Sequence, residues 1–135
     1  MKVRPIEITD LEAVRVLRNA ERRWFFEDHE ITPDEQLRWF ETLDRTTTQF
    51  YVIEVCERVV GTVSVTNRED GRELGNYVLH PEFRGQGIGH AAVDAVTAEP
   101  GVYYALVKAE NDTVLHHGDM FGWNRVHVRI EKIVD

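Results

Sequence analysis

The sequence predicts an α/β fold, a mixed central sheet with helices on both faces, in the order β-α-α-β-β-β-α-β-α-β. Three observations carry it. Several runs rich in Val, Ile and Tyr alternate apolar and polar residues with the period of a strand. Two segments open on helix-capping signals and continue with apolar residues spaced by three. A strand-like run, Leu74 to Leu79, passes through a glycine-rich loop into a helix-like run, Ile88 to Thr97. With 135 residues, no repeats and no linker, the chain fits a single domain, 1–135, around one core.

Lys2 to Ile8 alternates and predicts the first strand. Thr9-Asp10-Leu11-Glu12 has the form of a capping box, with Thr9 at the N-cap and Glu12 reaching back; the helix it opens presents Leu11, Val14 and Leu17 on one face. Thr32-Pro33-Asp34-Glu35 is a better start: a cap, a proline where no N–H is needed, then the box glutamate. That second helix aligns Leu37, Phe40 and Leu43. Gln49 to Glu57 and Arg58 to Thr66 are β-rich runs that meet with almost no linker, which predicts a hairpin near Glu57-Arg58. Asn67 to Arg72 reads as a polar loop before the strand Leu74 to Leu79. After the glycine loop and its helix, Glu99-Pro100-Gly101 is a stop, and Val102 to Val107 the next strand. Asn111 or Asp112 caps a short helix to Met120 that Gly122 terminates. Val126, Val128 and Ile130, alternating with His127, Arg129 and Glu131, form a last strand.

A net charge of −8 sets an acidic surface that repels nucleic acid and anionic membranes and favours amine substrates. No apolar run reaches membrane-spanning length, and Met1-Lys2-Val3-Arg4-Pro5-Ile6 lacks the apolar stretch of a signal peptide. The single cysteine, Cys56, precludes an internal disulfide and suits a reducing cytoplasm. Within a strand-like apolar run it is expected to be a buried, inert thiol. The histidines offer no tight ligand spacing except adjacent His116-His117, whose side chains diverge on a helix, so no metal site is expected.

The chemistry concentrates in His80-Pro81-Glu82-Phe83-Arg84-Gly85-Gln86-Gly87-Ile88-Gly89. Glycines at alternate positions allow a tight loop with consecutive exposed N–H groups. The following helix adds its unpaired N–H groups and the positive end of its dipole. Together they make a site for a phosphate or pyrophosphate. A P-loop would need Gly-Lys-Ser/Thr here, whereas Gly89 is followed by His90 and Ala91. A dinucleotide fingerprint would start its glycines directly after the strand, where Pro81 to Arg84 intervene, and would need a longer chain beyond Gly89. Arg84-Gly85-Gln86-Gly87-Ile88-Gly89, with Pro81 ahead of it, resembles the Arg/Gln-x-x-Gly-x-Gly/Ala signature of the GNAT superfamily of N-acetyltransferases. The element order extends the resemblance over nearly the whole chain.

That resemblance implies a GNAT-like sheet splayed beside the strand ending at Leu79. It implies acetyl-coenzyme A as co-substrate, its pyrophosphate on the backbone amides of Gln86, Gly87, Ile88 and Gly89, with His80, Arg84, Gly85 and Asn111 also on the cofactor side. Arg84 and Lys108 would add local positive potential. The backbone at Leu79 would face the thioester and pantetheine, with its N–H as the oxyanion donor. The family often ends in a hairpin where this chain keeps one strand; the open edge is either exposed or covered in a homodimer.

Direct acetyl transfer to an amine needs a base, a backbone donor and an optional acid for the leaving thiolate. Glu73 is the expected base: strict alternation puts Glu73, Gly75, Tyr77 and Leu79 on one face, and relatives carry an acid near this place. The alternative is a solvated glutamate at a loop edge. After the fifth strand, relatives run from an Asn to a Tyr and then Gly-Phe; Asn111 and Gly122-Trp123 fit, but the tyrosine position is Gly118. Either His117 or His116 then supplies the proton, or the thiolate leaves unassisted, or activity is low or lost.

The acceptor site is expected between the first two helices, where Trp24, Phe26, Glu27 and His29 join the strand face bearing Tyr77 to cradle a small-molecule amine. Leu17-Arg18-Asn19, Arg23-Trp24, Ile31-Thr32 and Gln36-Leu37-Arg38-Trp39-Phe40 are similar, over short stretches, to nucleotide-sugar amine acetyltransferases of the pseudaminic acid pathway type. That similarity points to a nucleotide-linked amino sugar. The alternatives are a protein N-terminus or lysine as acceptor, and a non-catalytic acyl-coenzyme A-binding module.

Overall fold

The computed structural model describes residues 1–126 and 129–134. In chain order the elements are β1 (Lys2–Pro5), α1 (Leu11–Ala20), α2 (Pro33–Thr42), β2 (Thr48–Val55), β3 (Arg58–Arg68), β4 (Gly71–Leu79), α3 (Ile88–Val96), β5 (Tyr103–Ala105) and α4 (Asp112–Met120). The strands form one sheet in the order β1-β2-β3-β4-β5, antiparallel except for the parallel pair β4–β5 that α3 connects. This is the predicted mixed sheet. Val126 and Ile130 of the expected last strand are exposed and unpaired, and His127 and Val128 lie outside the described residues.

Helices cover both faces. On one, Val14 of α1 packs with Ile6, Phe50 and Val52, and α2 adds Trp39, Phe40 and Leu43. On the other, Ala92 of α3 packs with Ile53, Val60 and Leu79, while Val93 and Val96 meet Val63, Val65 and Leu74. The second helix starts as expected: Thr32 accepts from the Glu35 N–H with Pro33 at the first helical position. Its buried face is offset from the expected one. Gln36 is buried and Leu37 is largely exposed, because Trp39, Phe40 and Leu43 take the core positions.

The first capping box is shifted. Asp10, not Glu12, reaches back, accepting from the Glu7 N–H, and Thr9 does not cap α1. Asp10 is held there by two hydrogen bonds from the Arg4 guanidinium, at 2.8 and 2.9 Å, which Glu54 also engages. The β2–β3 hairpin turns at Cys56 and Glu57, both with positive φ. Cys56 is therefore an exposed turn residue, not the buried strand thiol expected. The Asn67–Arg72 loop contracts to a turn at Glu69 and Asp70, the strands running on to either side.

One irregularity positions the site. In β4, Gly75 pairs with Ser64 and Val78 with Thr62, so Asn76 and Tyr77 together oppose Val63. This is a β-bulge, with Asn76 at φ +50°. It resets the alternation, placing Tyr77 with Leu74 on the α3 side of the sheet. The expectation that Glu73, Gly75, Tyr77 and Leu79 share a face fails for this reason. The parallel ladder ends at Leu74–Ala105 while β4 continues to Leu79, so the sheet opens between the end of β4 and the chain beyond β5.

Candidate active site

The strand-to-helix loop is a backbone cradle. His80 accepts from the Glu82 N–H through Nδ1 and starts a short turn, Pro81–Phe83. Gly85 and Gly87 follow with φ of +74° and +81°, and a Cβ at either would point into open space. Gly87 is the N-cap of α3 and offers no side chain to the helix start. The first helical bond runs from the Ala91 N–H to the Gly87 carbonyl, which leaves the N–H groups of Ile88, Gly89 and His90 without helical acceptors. Exposed donors at the positive end of a helix suit a pyrophosphate.

The cations expected beside this loop are turned inward. Arg84 donates from Nε to the Leu79 carbonyl at 2.9 Å and pairs with Glu21 at the end of α1, also at 2.9 Å. Lys108 donates to the Arg23 carbonyl. Arg84 thus fixes the loop to the strand end and to α1 with its charge paired to Glu21, while Lys108 meets only a neutral carbonyl and keeps its charge. Tyr77 packs beneath the same helix: its hydroxyl occupies the space that a Cβ on Gly89 would fill, so only glycine fits there. Burial pushes the Tyr77 phenol up from its ordinary pKa. At the strand end, His80 N–H bonds the Val60 carbonyl. By the antiparallel alternation, the Leu79 N–H points away from β3, toward the opened side. Asn111 is buried and caps α4 by accepting from the Val114 N–H.

Of the five residues expected on the acceptor side, two meet at a cavity on the opposite face. A cavity of about 320 Å³ lies between α1, α2, the segment joining them and the sheet; its walls include Arg18, Phe25, Glu27, His29, Gln36 and Trp39. Its floor is Thr62 of β3 and Asn76 of the bulge, joined by a hydrogen bond from Thr62 Oγ1 to the Asn76 carbonyl. Glu27 and His29 stand where the sequence placed them. Trp24 and Phe26 do not line the cavity: Trp24 lies under the Arg23 guanidinium and Phe26 is exposed, while Phe25 turns in beneath Arg18. Tyr77 is excluded by the bulge. Arg18, Gln36, Thr62 and Asn76 went unread. Arg18 left one trace, a charge four residues after Val14 on the apolar stripe of α1.

Glu73 and Leu79 are not brought together. Glu73 sits where the β4–β5 ladder is still closed, opposite Tyr104, and pairs with Arg68 at 3.0 Å. Six residues of strand at about 3.3 Å each separate it from Leu79. His117 lies between α3 and α4, its ring 4.6 Å from Phe121 and 6.0 Å from His90. Burial, helped by His90, pushes the His117 pKa down, which disfavours the protonated form an acid requires. Among the described residues there is no cluster of three metal-ligating side chains, and no helix is long and apolar enough to cross a membrane.

The sheet thus opens beside a glycine cradle whose free N–H groups suit a phosphate, and a partly open cavity lies on its other face. The chain belongs to the GNAT acetyltransferase family: the family model described as Acetyltransferase (GNAT) domain matches residues 1–132. It is an acetyl-coenzyme A-dependent N-acetyltransferase. No curated protein matches the sequence. Among solved structures the fold is similar to a ribosomal-protein-alanine N-acetyltransferase from Brucella melitensis, at 20% identity and TM-score 0.74, covering 90% of this chain and 83% of that one. It is similar to yncA, a putative acetyltransferase from Salmonella typhimurium with its cofactor acetyl-CoA, at 20% identity and TM-score 0.73, covering 90% and 78%. It also resembles AAC(6')-Iy in complex with a bisubstrate analogue, CoA-S-monomethyl-acetylneamine, at 17% identity and TM-score 0.74, covering 99% and 97%.

Proposed function

We propose that this enzyme acetylates the primary amine of a small molecule held in the cavity over Thr62 and Asn76, directly and without an acyl-enzyme. The observation that carries this is the partly open cavity backed by the β4 bulge, on the same strand that leads into the donor loop. About 320 Å³ is at the small end of ligand sites. It suits an amino acid, a polyamine fragment or a single sugar better than a nucleotide-linked sugar or a folded peptide.

Acetyl-coenzyme A, when bound, supplies an activated thioester. The N–H groups from Gln86 to His90 hold its pyrophosphate, and the Leu79 N–H, turned to the opened side of β4, serves as oxyanion donor. His29 replaces Glu73 as the proton acceptor. It lines the cavity, and its Nε2 lies 3.2 Å from Glu35 Oε2, which orients the ring and stabilises it when it takes the amine proton through water. The thiolate leaves without His117.

The test is thiol release from acetyl-coenzyme A with a panel of free amino acids, polyamines, amino sugars, nucleotide-linked amino sugars and peptides. Saturable turnover confined to the small free amines is expected. Preference for a nucleotide-linked sugar or a peptide would overturn the assignment.

A further inference from the structure

The cavity is lined by an arginine that no carboxylate of the described residues contacts directly, although the Glu27 and Asp28 charges act on it from nearby. Two of its lining residues are arginines. Arg15 spends its charge on Glu12, at 2.7 Å. Arg18 forms no ion pair among the described residues. Its guanidinium lies 3.9 Å above the Phe25 ring and donates from Nη2 to the Glu27 carbonyl. Its Nη1 is buried with no hydrogen-bond partner among the described residues.

An unsatisfied, buried guanidinium nitrogen is expensive, since desolvation is not repaid by any acceptor. Stacking on Phe25 and the bond to Glu27 fix the fork in orientation, which is what recognition of a planar or tetrahedral anion requires. The other charged groups of the cavity are carboxylates. Glu35 is engaged by His29 and Thr32, and Glu27 contributes its carbonyl, not its carboxylate, to Arg18. The cavity therefore offers one guanidinium without a contacting carboxylate and one acid, Glu27, whose carboxylate accepts no hydrogen bond among the described residues.

We propose that the acceptor carries an anionic group, a carboxylate or a phosphate, close to its amine, and that Arg18 is the residue that binds it. The proposal rests on the cavity being the acceptor site. Arg18 is then a specificity-determining residue: it selects acceptors that are both amine and anion, and Glu27 guides the amine end.

The test is calorimetric binding to the enzyme saturated with coenzyme A, using matched probes that differ in the anion: L-alanine against L-alaninamide, and glucosamine 6-phosphate against glucosamine. In at least one pair the anionic member should bind about 30-fold or more tighter. Whichever pair shows it identifies carboxylate or phosphate as the group recognised. Arg18→Gln should bring that pair to parity, and Arg18→Lys should keep part of the difference. Acetyl-coenzyme A affinity, measured first on each variant, serves as the control for folding. Should Arg18→Gln lose it, Arg18→Lys alone decides, since altered geometry must still cut the preference. No preference for the anion in either pair, or a preference that survives both substitutions, overturns the proposal. Failure of the wild-type protein to bind acetyl-coenzyme A would instead mark failure of the underlying acetyl-transfer assignment.

Discussion

The donor loop and the acceptor cavity flank the same strand but are built from different material. The loop is ten consecutive residues, His80 to Gly89, whose function lies in backbone N–H groups and in glycines that keep side chains away. The cavity is assembled from side chains between Val14 and Asn76, contributed by two helices, an irregular segment and three strands. A backbone device is local, so its chemistry is written in one stretch of sequence. A side-chain cavity depends on how distant elements register, and one bulge decides which residues enter it. That difference also predicts how each half fails: the loop through sterics, the cavity through charge.

The largest effect is expected on the donor side. Gly89→Ala drives a Cβ into the Tyr77 hydroxyl and should cost about 3 kcal/mol in urea unfolding. Adding Tyr77→Phe should recover part of that loss, since the hydroxyl is the atom in the way. No recovery would mean that Gly89 is needed for another reason.

On the acceptor side, the helix carrying Arg18 is anchored by Arg4 and Asp10. Asp10→Ala leaves Arg4 partly buried with Glu54 and the more distant, exposed Glu7, and should cost about 3 kcal/mol. The Arg4 guanidinium holds the Asp10 carboxyl below its ordinary pKa. A carboxyl lowered on folding stabilises the protein above its unfolded value, near about 4, and that stability is lost as pH falls through the lowered value. Urea unfolding at pH 7 and pH 3 should therefore differ more for the wild-type protein than for Asp10→Asn. Equal pH dependence would remove the pair from the account.

Catalysis separates the halves further. His29→Gln should lower kcat at neutral pH by about 100-fold while leaving acetyl-coenzyme A affinity unchanged. The smallest effect belongs to His117. Packed against Phe121 and pushed toward its neutral form, it should tolerate Gln with kcat at pH 7 changed by less than about twofold. A tenfold loss would restore it as the proton donor.

What could be read from the sequence obeys the same division. Thr32-Pro33-Asp34-Glu35, the hairpin beside Arg58 and the glycine loop are each set by neighbours in the chain, and each was legible. Thr9 was misread because the competition for the helix start is decided by Arg4, whose fork picks Asp10. Tyr77 was assigned to the wrong face because alternation carries no sign of a bulge until the partner strand is known. Phe25 rather than Phe26 enters the cavity because Arg18 stacks on it, a contact between a helix and an irregular segment. Gln36 is buried beside the expected Leu37, Phe40 and Leu43 face because it lines the cavity.

The central claim is that a glycine-formed backbone cradle holds the donor. Calorimetric titration of acetyl-coenzyme A into the wild-type protein and Gly87→Val tests it most directly, because a β-branched residue at φ +81° strains the N-cap at a place where an added Cβ meets no other atom within 4 Å. Saturable binding to the wild-type protein, weakened by about tenfold or more in the variant, is predicted. Absence of saturable binding by the wild-type protein, or equal affinity in the variant, would contradict it.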